Sequence, residues 1–171
     1  MNRSGALPGG YMGRILVVDL DTGVIDEEVL PGTVYDEGLY GPGLASRMLL
    51  ERIPPGADPL GAGNLLAFVP GLLTGTGCLF AGRWTVAGKS PLTGGWGDAN
   101  CGGNFSPAIK QCGYDGIFFR GASDHPVYLD VRDGKAELRD AGRFWGMDTV
   151  ETETLLAGGG KGKKSVVAAI G

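Results

Sequence analysis

The chain has 171 residues, of which 33 are glycine, and a formal net charge of −4 at pH 7. This glycine share is well above the usual ~7% and predicts a turn-rich, β-containing fold instead of a helical bundle. The acidic balance argues against a nucleic-acid-binding protein, because such proteins need a basic surface to displace counterions. The sequence contains no run of 18 apolar residues and no apolar core of a secretory signal near its start. We therefore expect a cytoplasmic globular protein that does not span a membrane.

The first part of the chain predicts a hairpin, a helix and a strand. Two β-rich runs, residues 14–20 and 24–30, flank the turn Asp21-Thr22-Gly23 and should pair antiparallel. Apolar residues at helical spacing predict a helix over residues 44–53. The apolar run at residues 65–69 predicts a buried strand that leads directly into a glycine-rich stretch.

The same order of elements recurs after the glycine-rich stretch. Residues 127–132 and 135–139 predict a second hairpin, residues 148–156 a helix with an acidic capping box, and residues 165–170 an apolar strand. The recurrence predicts an α+β fold, a β-rich domain with two similar halves, mixed sheets and short helices. Chance repetition of these common elements is the alternative.

The stretch from Pro70 to Gly116 combines glycine, threonine, serine and asparagine with the arginine Arg83. Glycine permits positive φ and lacks a Cβ, so turns at residues 73–76, 93–95 and 101–103 can present N–H groups to an anion. Arginine adds two parallel charge-assisted hydrogen bonds to a phosphate. No P-loop or GxGxxG motif is present, so at this point a glycine-rich loop without a ligand is an equal alternative.

A short helix is predicted directly after these turns. Ser106 is the candidate N-cap, Pro107 takes the first helical position and Gly113 stops the helix. Its N-terminus would add a positive dipole end to the same anion site.

Four sequence blocks stand in order around Arg83: GLLTGT, AGRWTV, KSPLTGGWGDANCGG and CGYDGIFFRG. Together they resemble the N-terminal domain of the aldehyde ferredoxin oxidoreductase family of tungsten-pterin enzymes, over Gly13 to Gly171. The resemblance implies that residues 1–171 form an N-terminal pterin-cofactor-binding domain, which we expect to be incomplete at its C-terminus.

The resemblance also implies a cofactor and its contacts. In this family tungsten, or sometimes molybdenum, is held by the dithiolene sulfurs of two pterins, and magnesium bridges the pterin phosphates. Carried over to matching positions, Arg83 would contact the phosphates, Asn100 would coordinate magnesium through its backbone carbonyl, and Gly102 and Gly103 would approach the pterin closely. Cys101 lies inside the same block, where serine is common, and is kept as a cofactor-binding candidate. Magnesium prefers oxygen ligands, which suits Asn100.

The whole enzyme implied by the resemblance oxidises aldehydes to carboxylic acids and passes electrons through a 4Fe–4S cluster to ferredoxin. Cys78, Cys101 and Cys112 lack CxxC spacing, so the cluster is expected only in a missing C-terminal part. Neither the single histidine, His125, nor the aspartates near the site carry a catalytic pattern. No catalytic residue is predicted, and this chain alone is expected to be inactive.

The partners implied are C-terminal domains or a partner subunit that completes the site, ferredoxin, a small aldehyde substrate and, as another assembly, a homodimer. Nucleic acid and membrane are not expected partners. Two other functions stay open. One is a stand-alone pterin-binding carrier or scaffold without turnover. The other is a benzoyl-CoA reductase-type relative, which would show many of the same blocks.

Overall fold

The computed structural model describes residues 9–37, 40–132, 134–158 and 165–170. The chain divides into two compact units, Met1–Ala122 and Ser123–Gly171. Within the described residues, the first unit holds a six-stranded sheet with three α-helices, and the second a two-stranded hairpin with one α-helix and a short 3-10 helix, Gly142–Phe144. The α+β class with mixed sheets and short helices is confirmed. No helix in these residues is long and apolar enough to cross a membrane.

Strand pairing in the first unit joins segments that are far apart in the sequence. The sheet order is β2-β1-β6-β3-β4-β5, with β1 and β6 parallel and the other neighbours antiparallel. In chain order the elements are β1 (Arg14–Asp19), β2 (Ile25–Val29), α1 (Gly32–Asp36), α2 (Pro42–Arg52), β3 (Leu65–Pro70), β4 (Trp84–Lys89), β5 (Trp96–Cys101), α3 (Phe105–Gln111) and β6 (Ile117–Arg120). The predicted β1–β2 hairpin and the strand β3 are confirmed.

The helix α2 covers one face of the sheet. It begins two residues earlier than predicted, because Gly41 takes a φ of +56° and Pro42 then occupies the first turn. Leu44, Met48 and Leu49 lie on its buried side. They join one apolar core that also contains residues of β1, β3 and β6: Ile15, Val17, Leu65, Ala67, Val69 and Phe118.

Four elements of the first unit were not predicted: the five-residue helix α1 and the strands β4, β5 and β6. The strand β5 reads Trp-Gly-Asp-Ala-Asn-Cys and contains residues of low strand propensity. Pairing with β4 along its whole length makes it a strand. Local composition therefore favours a loop where tertiary pairing produces an edge hairpin.

The second unit contains β7 (Val127–Arg132), β8 (Lys135–Asp140) and α4 (Thr149–Gly158). The predicted hairpin is confirmed by antiparallel pairs from Val127↔Asp140 to Arg132↔Lys135. The predicted helix start is confirmed as well, because Asp148 Oδ1 accepts the Glu151 N–H at 2.8 Å.

The predicted strand at residues 165–170 is wrong, because the structure assigns no strand there. The proposed duplication into two similar halves is therefore not confirmed. A strand needs a neighbour for its backbone N–H and C=O groups, and apolar composition alone does not provide one.

Candidate functional site

The edge hairpin β4–β5 brings two parts of the glycine-rich stretch together. Trp84 of β4 pairs with Cys101 of β5, so Arg83 and Gly102 lie at the same end of the hairpin. A Cβ added to Gly102 would lie 4.0 Å from Arg83 Cδ, and one added to Gly82 would lie 3.5 Å from the Gly103 carbonyl oxygen. We call Gly82, Arg83, Gly102 and Gly103 the glycine-arginine corner.

This corner presents a positive charge beside bare backbone. Arg83 and Gly103 are exposed, and Gly103 has a φ of +91°, in the left-handed region that favours glycine. No carboxylate in the described part of the chain forms an ion pair with Arg83. The corner therefore offers an anionic group the charged N–H donors of the Arg83 guanidinium, and the glycines leave space beside it.

Asn100 belongs to the same face of the hairpin. It is directly opposite Thr85, and its Nδ2 donates a hydrogen bond to Thr85 Oγ1 at 3.3 Å. Because side chains alternate along a strand, Asn100 shares this face with Arg83, two positions from Thr85. Cys101 is exposed and points to the opposite face, beside Trp84. The structure thus brings Arg83, Asn100 and the two glycines together and directs the thiol away from them.

The opposite face of the corner is anchored by Trp84. Its indole is buried, stacks on Phe68 at 5.9 Å and packs against Phe105 at 4.8 Å between ring centroids. Its Nε1 donates to the Gly102 carbonyl oxygen at 3.2 Å. The indole therefore links Gly102 to the aromatic cluster beneath the edge hairpin.

The other two predicted glycine turns use backbone N–H groups in hydrogen bonds of their own. In the turn at residues 93–95, Gly94 N–H donates to Ser90 O at 2.8 Å, and Gly95 N–H donates to Thr93 Oγ1 at 3.3 Å. This turn closes the far end of the hairpin, about 17 Å from the corner at the usual rise per strand residue. In the turn at residues 73–76, the N–H groups of the two threonines donate to carbonyls of the same segment. The prediction of an anion-binding turn is therefore wrong for residues 93–95, whereas for residues 73–76 it stays a prediction.

The helix α3 begins at Phe105, with Asn104 in the cap position, so the prediction of Ser106 as N-cap is wrong. Ser106 is fully buried inside the first turn, where its hydroxyl donates to Thr74 Oγ1 at 3.2 Å. Ser106 and Pro107 are the second and third residues of the helix, so neither stands at the position that the sequence predicted for it. Gly113, with a φ of +92°, ends the helix as predicted.

The remaining titratable candidates have structural environments. Asp115 is buried, pairs with Lys110 and accepts two backbone N–H groups. Asp98 accepts the Trp96 indole N–H at 2.7 Å on the exposed edge strand. In the second unit His125 lies 2.5 Å from Asp124, and this hydrogen bond lowers the pKa of that carboxyl. Among the described residues, no group of three or more His, Cys, Asp or Glu side chains is arranged to hold a metal ion.

A family model describes the same segment. The model for the aldehyde ferredoxin oxidoreductase N-terminal domain matches residues 15–171. The chain belongs to this family. The resemblance inferred from the four sequence blocks is confirmed, and the match includes the whole glycine-arginine corner of this aldehyde ferredoxin oxidoreductase domain.

Curated relatives of the domain include tungsten-containing aldehyde ferredoxin oxidoreductases. The tungsten-containing aldehyde ferredoxin oxidoreductases of Pyrococcus horikoshii and Pyrococcus abyssi are 40% and 41% identical over 162 residues. The aliphatic sulfonate oxidoreductase WOR-like subunit of Pyrococcus furiosus is 35% identical over 151 residues. These alignments cover 95% and 85% of this chain, respectively, but only 27% and 24% of the relatives. The chain thus spans about a quarter of their length.

A solved structure shares the fold. The active site complex BamBC of benzoyl coenzyme A reductase, in complex with 1,5-dienoyl-CoA, contains a chain that matches with a TM-score of 0.85 and 35% identity. The match covers 88% of this chain and 23% of that one. The domain therefore shares its fold with a chain of a benzoyl-CoA reductase complex.

Sequence reasoning missed three buried hydroxyls of this aldehyde ferredoxin oxidoreductase domain: those of Thr74, Thr85 and Ser106. Thr85 stands between apolar residues in the strand β4, a position that does not distinguish a buried threonine from an exposed one. It also missed Phe80, which has a φ of +60° and is fully exposed. No signal in the sequence indicates either feature, because each depends on partners or on a backbone path set elsewhere in the fold.

Proposed function

We propose that this chain is the pterin-binding N-terminal domain of a tungsten, or molybdenum, bis-pterin oxidoreductase that oxidises aldehydes to carboxylic acids. The observation that carries the proposal is the glycine-arginine corner, where Arg83 and Asn100 share one face of the edge hairpin beside Gly102 and Gly103. Its occurrence in a chain 40% identical to tungsten-containing aldehyde ferredoxin oxidoreductases supports this choice of cofactor.

The residues present fit a phosphate-bearing cofactor. The exposed guanidinium of Arg83 can form two parallel bonds to phosphate oxygens, and no side chain on Gly102 or Gly103 stands in the way. Asn100 would offer its backbone carbonyl oxygen to a magnesium ion that shares its shell with the phosphates. Cys101 would contribute through its backbone, since its thiol faces the other side of the strand. When bound, the tungsten-pterin group supplies the redox chemistry, and this domain supplies binding and orientation.

Exposed apolar side chains beside the corner support a second protein surface that completes the site. Leu79 is 84% exposed and Phe80 is 100% exposed, only a few residues before Arg83. The edge strand β5 is exposed along most of its length. We infer that C-terminal domains or a partner subunit cover this edge, since apolar patches of this kind mark interaction sites. We propose that the iron–sulfur cluster and the path to ferredoxin lie in that part, so that this chain alone is inactive.

Metal and pterin analysis of the full chain, purified without oxygen, tests the proposal. Tungsten and molybdenum are measured by plasma mass spectrometry, and pterin by fluorescence after oxidation. Arg83→Ala should lower the pterin content and weaken pyrophosphate binding about 10- to 100-fold, because a charged hydrogen bond contributes roughly 1.5–3 kcal/mol.

The matched control is Arg143→Ala. Gly142-Arg143-Phe144 repeats the Gly-Arg-aromatic order of the corner, and Arg143 is also exposed. Its guanidinium stacks on the Phe144 ring at 4.4 Å in the second unit. This variant should keep wild-type pterin and pyrophosphate binding. If Arg83→Ala kept as much pterin and bound pyrophosphate as tightly as Arg143→Ala, the role proposed for Arg83 would be excluded.

A further inference from the structure

Two of the buried hydroxyls lie beneath the glycine-arginine corner and contact each other. Thr74 is 2% exposed and Ser106 is 0% exposed, and their oxygens are 3.2 Å apart. Thr74 Oγ1 also lies 2.6 Å from the Ala81 carbonyl oxygen. Buried polar groups are costly unless they are paired, so this cluster needs a consistent assignment of its protons.

The distances determine the direction of the hydrogen bonds. Each hydroxyl has one proton to donate and can also accept. Thr74 donates to Ala81 O at 2.6 Å, since its other acceptor, Arg83 O, is 3.4 Å away. Ser106 then donates to Thr74 Oγ1 at 3.2 Å, in preference to Arg83 O at 3.5 Å. The result is two consecutive hydrogen bonds that run in one direction, from Ser106 to Thr74 and from Thr74 to Ala81, and each bond polarises the next.

These hydrogen bonds hold the backbone segment that carries the Arg83 side chain. Ala81 is two residues before Arg83, and only the flexible Gly82 separates them. On the inner side, Arg83 O accepts the Gly71 N–H at 3.0 Å. The backbone around Arg83 is therefore held by the hydrogen bonds from Thr74 to Ala81 O and from Gly71 to Arg83 O, while the Arg83 side chain is exposed to solvent.

We propose that Thr74, oriented by Ser106, is a positioning residue that holds Arg83 in place for phosphate binding. The inference rests on the proposed function, because it assigns a task to the same corner. Thr74 touches no ligand itself. It limits the directions from which the guanidinium can approach a phosphate, and a misplaced guanidinium loses the parallel geometry of its two bonds.

Pyrophosphate titration of the full chain by calorimetry, in the presence of magnesium, tests the positioning role. Thr74→Val keeps the shape and removes the hydroxyl, and it should weaken binding about tenfold, the size expected for one lost hydrogen bond. Thr74→Ser restores the hydroxyl and should bind within about twofold of the wild type. The affinity of Ser106→Ala for pyrophosphate should lie between the affinities of these two variants.

The matched control is Thr76→Val. Thr76 stands in the same turn and its hydroxyl also donates to a backbone carbonyl, Leu73 O at 2.6 Å, but among the described residues it forms no hydrogen bond with Ala81 or Arg83. This control should leave the affinity unchanged. Equal affinities of Thr74→Val and Thr76→Val would overturn the inference, even if Thr74→Val unfolds at a lower temperature.

Hydrogen exchange of the Gly71 amide separates this inference from the proposed function. That amide donates to Arg83 O, so Thr74→Val should speed its exchange by about tenfold or more relative to Thr76→Val. The Gly23 amide, bonded to Asp19 O in the β1–β2 turn, should be unaffected. Failure of the wild type to bind pyrophosphate would count against the proposed function alone. An unchanged Gly71 exchange rate would refute the positioning role whatever the affinity.

Discussion

Replacing Lys110 by methionine should destabilise the first unit strongly, because it breaks a buried ion pair and leaves a buried charge. The side chains of Lys110 and Asp115 are 5% and 4% exposed. Lys110 Nζ donates to Asp115 and also to Gly10 O at 2.8 Å. Methionine keeps much of the apolar stem and removes both bonds.

The remaining contacts of Asp115 determine how large the loss should be. Its carboxylate still accepts Gly13 N–H at 2.7 Å, Met12 N–H at 3.0 Å and the Tyr35 hydroxyl at 3.3 Å. Removing one partner of a buried pair typically costs about 3–5 kcal/mol. Because three donors stay in place, we expect a loss near the lower end, about 3 kcal/mol in the free energy of unfolding.

Urea unfolding followed by circular dichroism measures this loss, with Glu51→Gln as the control. Glu51 pairs with Arg47 at 2.8 Å on the exposed side of α2, and breaking that pair should cost less than about 0.5 kcal/mol. The double variant Lys110→Met/Asp115→Asn should lose less unfolding free energy than the two single variants together, because it has no unpaired buried carboxylate. A loss for Lys110→Met as small as that for Glu51→Gln would refute the reasoning.

Two further predictions concern Phe80 and Tyr114. Phe80→Gly should raise the free energy of unfolding in urea by about 0.5–1 kcal/mol, because the left-handed backbone is strained for phenylalanine. The ring is fully exposed, so its removal should cost no packing within the chain. A clear loss of stability would show that the ring does pack within the chain. For Tyr114, burial first and the hydrogen bond to the Glu27 carboxylate next raise the pKa from 10.0 to about 12. The neutral hydroxyl therefore stabilises the folded state fully below about pH 10, and this contribution is lost as the pH rises to about 12. The urea midpoint should fall more steeply over this range in the wild type than in Tyr114→Phe, and parallel curves would contradict the assignment.

Elements held by neighbouring residues were predictable. The two hairpins follow from their turn residues, and the cap of α4 follows from Asp148, because these contacts lie within a few positions along the chain. The end of α3 at Gly113 belongs to the same class, since a left-handed glycine terminates a helix locally.

The family was also accessible from the sequence, through motif blocks and not through physical rules, whereas the site residues stay a prediction. The blocks around Arg83 and Asn100 identify aldehyde ferredoxin oxidoreductase relatives because close backbone approach to a ligand restricts which residues can stand there. Their grouping into one corner was not predictable. Arg83 and Gly102 meet only because β4 and β5 pair in one register.

The sequence by itself thus determined the hairpins, the C-terminal end of α3, the start of α4 and the family, since each depends on neighbouring residues or on a motif. The tertiary structure decided the place of β6 between β1 and β3, the lack of a strand at residues 165–170, and the use of the Ser106 hydroxyl beneath Arg83. For β6 and Ser106 the deciding contact is a hydrogen bond to a residue distant in the chain, and for residues 165–170 it is the lack of a strand partner among the described residues. A backbone or hydroxyl group accepts whichever partner the fold brings to it, and local composition does not specify that partner.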